Sequence, residues 1–244
     1  MKLVLFAHQI VGLEVFNYLV EAFPQDLVGV VTVEENQIYQ EAKLKNIPVK
    51  IFDKNNQNFN KNEFELGLLA WWPYIIKEPL LSMPEQGFIN FHPSLLPFNR
   101  GKHYNFWALV EQSPFGVSLH KVDKGVDTGE IVAQKLIGYD WEDNGETLYY
   151  KAQKEIVNLF KSSYPLIRRG QFVATPQNLS EGSFHLSSEM NLVSKIDIDR
   201  SYTAKQLLNL LRARTFQGHP ACWFEDIDGQ KYEVKIQIKR KHND

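Results

Sequence analysis

The chain has 244 residues, enough for one large domain or for one domain with a small appendage. Lysine plus arginine number 27 and aspartate plus glutamate 29, and the resulting net charge of −2 argues against general binding to nucleic acid. The hydrophobic fraction of 43% suffices for a core, whereas no apolar run reaches the roughly 20 residues of a membrane helix. A single cysteine excludes an internal disulfide and disfavours a structural zinc site. The apolar N-terminal run has no small-residue cleavage site and is typical of a buried strand, so we expect a globular protein of the cytoplasm.

Strand and helix patterns alternate over the first hundred residues, as is typical of βαβ units in a parallel sheet. Apolar runs at 2–7 and 27–33 predict central strands, and the apolar spacing within 11–22 predicts a helix between them. A helix is predicted at 37–45, and further strands at 49–52, 65–70 and 88–91.

The second half of the chain begins with a predicted helix at 104–111. Apolar and polar residues alternate at 115–122, which predicts a strand with one exposed face and a neighbouring strand at 130–137. The apolar spacing within 147–167 predicts a long amphipathic helix. A helix at 203–212, with Ser201 and Thr203 as candidate caps, precedes two strands at 221–227 and 231–238.

These patterns together predict an α/β fold. It consists of an N-terminal Rossmann-like, mostly parallel sheet with helices on both faces and a small C-terminal helix and β-hairpin unit. The composition of 171–190, rich in Ser, Pro, Asn and Gly, is typical of a linker. The predicted domains are therefore 1–170 and 191–244, joined by 171–190.

Two polar side chains lie at the end of the strand predicted at 88–91. Asn90 and His92 are two residues apart and therefore share one face of the sheet, and Pro93 ends the strand. An amide can donate to a developing oxyanion and an imidazole can accept a proton from a nucleophile, which suits acyl transfer. Asp127, in a turn framed by glycines after the next strand, is placed to orient the imidazole.

Each of these residues alone is more typical of a turn or a backbone cap. Their combination at one edge of the sheet favours a catalytic site, because open α/β sheets bind ligands at the carboxyl ends of their strands. The glycine-rich fingerprint of dinucleotide-binding enzymes is absent after the first strand, which disfavours a nicotinamide enzyme.

The segments FHPSLLPFNRG (91–101) and HKVDKGVDTGEIVAQ (120–134) resemble the catalytic core of the formyltransferases that use 10-formyltetrahydrofolate. The resemblance covers residues 1 to about 169. It places the catalytic asparagine, histidine and aspartate of that family on Asn90, His92 and Asp127, without a departure at any of the three. The segment 196–213 is similar to the region after the catalytic domain in longer members.

The resemblance implies that His92 removes a proton as a primary amine attacks the formyl carbon, while Asn90 holds the oxyanion of the tetrahedral intermediate. Asp127 then stabilises the charged imidazole. Arg100 and the segment HYNFW are more similar to the sugar-nucleotide N-formyltransferases than to the purine-pathway enzyme. Those relatives act on dTDP-linked aminodideoxy sugars such as dTDP-4-amino-4,6-dideoxyglucose, which implies a role in surface polysaccharides such as the lipopolysaccharide O-antigen.

Binding residues are also implied by the resemblance. The apolar run LLAWWPYII at 68–76 is expected to hold the folate, with the pterin against Leu69, Tyr74 and Ile76 and the backbone between Asp123 and Val126. Lys77 and Arg100 are candidate cations for the pyrophosphate. The remaining residues expected to bind the sugar nucleotide are Trp71, Tyr104 and Asn105; no metal is expected.

Other functions stay open from the sequence. Methionyl-tRNA formyltransferases share the motif, but they are longer chains with a basic C-terminal barrel. A folate- or nucleotide-binding protein without turnover is another alternative, as is a hydrolase that releases formate. Apolar residues in the final hairpin predict a homodimer through the C-terminal unit, with no nucleic-acid or membrane partner: Trp223, Phe224, Tyr232 and Ile236.

Overall fold

A computed structural model describes residues 1–55 and 64–241. The described residues form eleven strands, and seven of the eleven build the main sheet. They are β1 (Leu3–Ala7), β2 (Leu27–Thr32), β3 (Val49–Ile51), β4 (Leu66–Ala70), β5 (Phe88–His92), β6 (Arg100–Gly101), β7 (Gly116–Lys121), β8 (Ile131–Leu136), β9 (Phe184–His185), β10 (Cys222–Glu225) and β11 (Lys231–Val234).

The helices of the described residues lie between these strands and after them. They are α1 (Gln9–Ala22), α2 (Gln37–Leu44), α3 (Tyr104–Glu111), α4 (Gly145–Ile167), α5 (Glu189–Val193) and α6 (Ala204–Ala213), with single 3₁₀ turns at Leu80–Ser82 and Leu179–Glu181. No described helix is both long enough and apolar enough to cross a bilayer.

The main sheet has the strand order β3-β2-β1-β4-β5-β7-β8. The pairs β2–β3, β1–β2, β1–β4 and β4–β5 are parallel, whereas β7 runs antiparallel to β5. The predicted mostly parallel α/β sheet is therefore confirmed. Because β4 and β5 are parallel neighbours, their carboxyl ends lie at the same edge, where His92 is the last residue of β5.

By contacts, the described chain divides into two compact units. The first comprises Met1–His92, Val117–Lys135 and Gln153–Gln177; the second comprises Pro93–Gly116, Leu136–Ala152 and Asn178–Asp244. The chain passes from the first unit to the second after His92, after Lys135 and after Gln177, and the last of these points lies within the stretch that the sequence predicts as a linker. The division into 1–170, 171–190 and 191–244 stays a prediction about folding units.

The core of the first unit contains an aromatic cluster beside β1 and β5. Phe6 lies edge-on to Phe88, with ring centroids 5.6 Å apart, and to Trp72 at 5.3 Å. Such edge-on contacts add to the stability gained by burying the rings. On β5, Ile89 and Phe91 alternate with Asn90 and His92, and Phe91 packs on Phe160 of α4.

Strand β7 corrects one expectation from the sequence. A strand with one exposed face is predicted there, but all residues from Gly116 to His120 are buried. The polar residues of the alternation, Ser118 and His120, are therefore inside the protein. Each hydrogen-bonds there: Ser118 Oγ accepts from Gln134 Nε2 at 2.9 Å, and His120 Nδ1 lies 2.8 Å from the carbonyl oxygen of Lys121.

The C-terminal helix and hairpin are present as predicted. Thr203 caps α6 through a capping box, in which its hydroxyl accepts from Gln206 N and the Gln206 side chain accepts from Thr203 N. Of the two candidate cap residues, Thr203 is the one that caps the helix. Strands β10 and β11 pair antiparallel, with Cys222 opposite Val234.

Candidate active site

The candidate catalytic residues are positioned by β5 and by the turn that follows β7. Asn90 and His92 project from one face of β5, and the backbone of β4 and β7 holds that strand on both sides. His92 is only 5% exposed. The structure brings both side chains to Asp127, although that aspartate is 35 positions beyond His92 in the sequence.

One carboxylate contacts both predicted partners. Asp127 Oδ2 lies 3.4 Å from His92 Nδ1, and its Oδ1 lies 3.4 Å from Asn90 Nδ2. A carboxylate beside Nδ1 favours the tautomer that carries its hydrogen there, so the lone pair of a neutral ring is on Nε2. Among the described residues, no group of three or more His, Cys, Asp or Glu side chains is arranged to hold a metal ion.

The turn carrying Asp127 has a specific local structure. Asp123 Oδ1 accepts from Gly125 N at 3.0 Å and from Thr128 Oγ1 at 2.7 Å, which closes the turn as an Asx turn. Asp127 itself has a backbone φ of +54°, a left-handed conformation that residues other than glycine adopt at an energetic cost. A Cβ on Gly129 would collide with the Lys121 carbonyl, so this position requires glycine.

Two residues beside the site are missed by the sequence reasoning. His120 lies directly opposite Asn90 in the sheet, with Nε2 3.2 Å from Asn90 Nδ2 and 3.5 Å from Asp127 Oδ1. Its signal in the sequence is weak: it stands on a predicted strand, and nothing there identifies its partner. Gln177 gives no signal at all, yet its Nε2 donates to the carbonyls of Asp127 at 3.0 Å and Gly129 at 2.6 Å.

The residues predicted for folate binding lie in the first unit in two environments. Leu69 and Ile76 are buried in the apolar cluster that includes Phe6 and Phe88, so both contribute to the core of the unit. Tyr74 is half-buried and packs against that cluster, stacked on Phe52 with centroids 5.6 Å apart. Asp123 and Val126 are exposed in the turn that precedes Asp127, while the Asp123 carboxylate is engaged in holding the turn.

The residues predicted for the sugar nucleotide fall in both units, and each is described within its own. In the first, Trp71 follows β4 with φ of +57° and Lys77 is exposed.

In the second unit, the Arg100 guanidinium lies 5.9 Å from the Phe184 ring centroid. Asn105 Nδ2 donates to the Gly145 carbonyl at 2.7 Å, which anchors the start of α4. Burial raises the pKa of Tyr104 well above its usual range, so its hydroxyl stays protonated.

Two family models match the chain. One described as Formyl transferase matches residues 21–162, more than half of the chain. A second, described as N-formyltransferase dimerization C-terminal domain, matches residues 189–240 and so includes α5, α6 and the hairpin.

Similar proteins include formyltransferases that act on different amines. The dTDP-4-amino-4,6-dideoxyglucose formyltransferase of Mycobacterium tuberculosis is 26% identical over 151 residues, which are 62% of this chain and 64% of the relative. The match thus spans just under two thirds of that relative's length. A methionyl-tRNA formyltransferase of Agathobacter rectalis is 33% identical over 142 residues, 57% of this chain and 46% of the relative.

Solved structures match over more of the chain. A 4-N formyltransferase from Francisella tularensis has a TM-score of 0.85 and covers 98% of both chains at 23% identity, which is a likeness of fold. The formyltransferase PseJ from Anoxybacillus kamchatkensis was solved in complex with UDP-4,6-dideoxy-4-formamido-L-AltNAc and tetrahydrofolate. It is 28% identical, with a TM-score of 0.60, over 79% of this chain and 89% of PseJ.

Proposed function

Because this chain belongs to the formyl transferase family, we propose that it transfers a formyl group from 10-formyltetrahydrofolate to the amine of a nucleotide-linked aminodideoxy sugar. The best candidate is dTDP-4-amino-4,6-dideoxyglucose, the sugar named for the mycobacterial relative. The observation that carries the proposal is the contact of Asp127 with both Asn90 and His92 at the end of β5. An amide donor and an imidazole base within reach of one carboxylate suit acyl transfer to an amine.

Each catalytic side chain has one proposed task. His92 accepts a proton from the sugar amine at Nε2, because Asp127 assigns the ring hydrogen to Nδ1. Asn90 donates an amide hydrogen to the formyl oxygen as negative charge develops on it. Asp127 stabilises the imidazolium that forms. The new bond joins the amine nitrogen to the formyl carbon, the bond from that carbon to the folate nitrogen breaks, and the departing nitrogen receives the proton from His92.

The binding residues complete the proposal. The pterin is assigned to Leu69, Tyr74, Ile76 and the backbone from Asp123 to Val126. Leu69 and Ile76 belong to the core, so they act there as an apolar wall rather than as mobile side chains. Lys77 and Arg100 are assigned to the pyrophosphate, and replacement of either by alanine is expected to raise KM for the sugar nucleotide more than it lowers kcat. Trp71, Tyr104 and Asn105 are assigned to the rest of the sugar nucleotide.

The deciding experiment offers the donor with a panel of amines and follows the products by mass spectrometry. The panel contains dTDP-4-amino and dTDP-3-amino dideoxy sugars, a UDP-linked 4-amino sugar, methionyl-tRNA and no amine. A formyl adduct on a sugar nucleotide, lost in His92→Ala, is the expected result. An adduct on methionyl-tRNA alone would replace the proposal with the tRNA alternative, formate without an amine would indicate a hydrolase, and folate binding without any product would indicate a binding protein.

We also propose that the chain acts in the cytoplasm and that its product enters a surface polysaccharide such as an O-antigen.

We further propose that the chain forms a homodimer through its C-terminal part. The match of residues 189–240 to a dimerization domain supports the dimer. So do exposed apolar side chains in the same stretch, which a partner subunit would cover: Leu192 (75% exposed), Ile198 (54%) and Ile227 (99%). Sedimentation should give about twice the 28.3 kDa of one chain. A single-chain mass at micromolar concentration, unchanged by Leu192→Glu, would contradict the dimer.

A further inference from the structure

His120 faces Asn90 across the pairing of β5 with β7. Its side chain is almost wholly buried, at 2% exposure for the residue, and both ring nitrogens have a neighbour within 3.2 Å. Nδ1 lies 2.8 Å from the carbonyl oxygen of Lys121, and Nε2 lies 3.2 Å from Asn90 Nδ2. The ring is therefore fixed between the backbone of its own strand and the amide of the neighbouring strand.

The backbone neighbour decides which nitrogen carries the hydrogen. A carbonyl oxygen only accepts, so a hydrogen bond at this distance requires the hydrogen on Nδ1. In the neutral ring the lone pair is then on Nε2, which acts as an acceptor. The atom of Asn90 that faces Nε2 must be a donor, which only the amide nitrogen can be. An amide turned by 180° would place its oxygen against that lone pair, with two acceptors facing each other.

This arrangement determines what Asn90 presents to a substrate. The amide nitrogen has two hydrogens, of which one is directed to His120 and the other to Asp127 Oδ1 at the longer distance of 3.4 Å. The longer contact is the weaker one, and it is the one that an incoming oxygen would replace. Without an acceptor at His120, the amide would lose the shorter of the two contacts that distinguish its nitrogen from its oxygen and would keep only the longer one to Asp127.

We propose that His120 is a positioning residue for formyl transfer: the lone pair on Nε2 fixes the side-chain amide of Asn90 so that an N–H, and not the carbonyl oxygen, is presented to the formyl oxygen. This inference rests on the proposed function and adds a residue to it. His120 does not touch the reacting atoms. It acts through Asn90, which lies closer to Nε2, at 3.2 Å, than Asp127 Oδ1 does, at 3.5 Å.

Two substitutions separate this role from simple packing. His120→Phe keeps a planar ring of similar size and removes both nitrogens, whereas His120→Gln returns an acceptor oxygen on a side chain of similar reach. We expect His120→Phe to lower kcat about 10- to 100-fold, somewhat less than the loss of an oxyanion donor. KM should change less than about twofold, because ground-state binding is unaffected. His120→Gln should recover most of kcat while leaving the melting temperature close to that of His120→Phe.

A double-mutant cycle tests whether the effect passes through Asn90. In an Asn90→Ala background, His120→Phe should cost less than about twofold in kcat, because the group that His120 orients is already absent. An undiminished 10- to 100-fold loss in that background would overturn the proposal, and so would wild-type kcat in His120→Phe alone.

The tautomer can be observed without turnover. In the wild-type chain labelled with ¹⁵N-histidine, NMR should show His120 neutral, with its hydrogen on Nδ1. A hydrogen on Nε2, or on both nitrogens, would overturn the orientation assigned to Asn90. This measurement needs neither a folded variant nor an active enzyme. If the wild-type chain transfers no formyl group, the proposed function fails, while the tautomer still supports or refutes the positioning of Asn90.

Discussion

Asn90 contacts two other residues of the candidate site through one side-chain nitrogen, and it does so at the end of a strand that the core already stabilises. Its neighbours Ile89 and Phe91 are 1% and 2% exposed and provide the packing of β5. Asn90 itself is only partly buried. The proposed catalytic role and the packing of β5 therefore fall on alternate residues of the same strand.

Replacement of Asn90 by alanine should accordingly affect catalysis and not folding. We expect kcat to fall about 100- to 1,000-fold through the loss of an oxyanion donor. The free energy of unfolding should fall by only about 1–2 kcal/mol, from the loss of long hydrogen bonds. Steady-state kinetics and thermal unfolding of the same preparation test both parts. Near-normal kcat in a folded Asn90→Ala variant would remove Asn90 from the proposed mechanism.

At the scale of elements, the turn from Asp123 to Gly129 is the segment on which the site depends. Asp127 has a positive φ, and such a conformation persists only where the surroundings enforce it. The Asp123 side chain stabilises the turn from within, and Gln177 stabilises it from outside, with Thr175 paired to Ile131 nearby. The stretch predicted as a linker thus begins with residues that support the turn of Asp127.

Loss of the Gln177 amide should loosen that turn. In Gln177→Glu, a carboxylate would face the carbonyls of Asp127 and Gly129, so we expect this variant to lose more activity than Gln177→Ala. The expected loss of kcat is about tenfold for alanine, through misplacement of Asp127. Asn178→Ala is the matched control, because the hydrogen bonds of that neighbouring amide within the described part of the chain go to Glu181 and Ser180, away from the turn. Equal kcat in the wild type, Gln177→Ala and Gln177→Glu would show that the turn holds Asp127 without this residue.

At the scale of the whole chain, the N-terminal strands are tied to the end of α4 by one buried carboxylate. Asp26 is 3% exposed and accepts from Tyr164 Oη at 2.8 Å and from Arg168 Nε at 2.7 Å, across about 140 residues of sequence. Burial by itself raises the pKa of Asp26. Hydrogen bonds from Arg168 and Tyr164 outweigh that effect, so the pKa lies below the usual 3.8.

A carboxylate with a lowered pKa contributes stability above its unfolded-state pKa and loses it as the pH falls through the folded-state pKa. Asp26→Asn should therefore destabilise the chain at pH 7, by about 2 kcal/mol for the loss of charged hydrogen bonds. The difference from the wild type should shrink once the pH falls below about 4, since both pKa values lie in that range. Chemical unfolding between pH 3 and 7 measures this, with the exposed Glu14→Gln as control. A difference independent of pH would show that the charge of Asp26 is not what stabilises the chain.

The sequence by itself determined the local elements and the residue types of the site. Apolar periodicity gave the central strands and the main helices, Thr203 began α6, and Pro93 ended β5 just after His92. These features depend on neighbours within a few residues, which the sequence states directly. The spacing of Asn90 and His92 likewise follows from the two-residue period of a strand.

Only the tertiary structure decided how distant residues meet. The antiparallel register of β5 and β7 places His120 opposite Asn90, and the return of the chain at 175–177 brings Gln177 onto the turn of Asp127. The burial of β7 on both faces is also decided by the tertiary structure, whereas the sequence pattern predicts one exposed face. These contacts join residues 30 and 50 positions apart, and they are fixed by the packing of the whole unit, which no local pattern encodes.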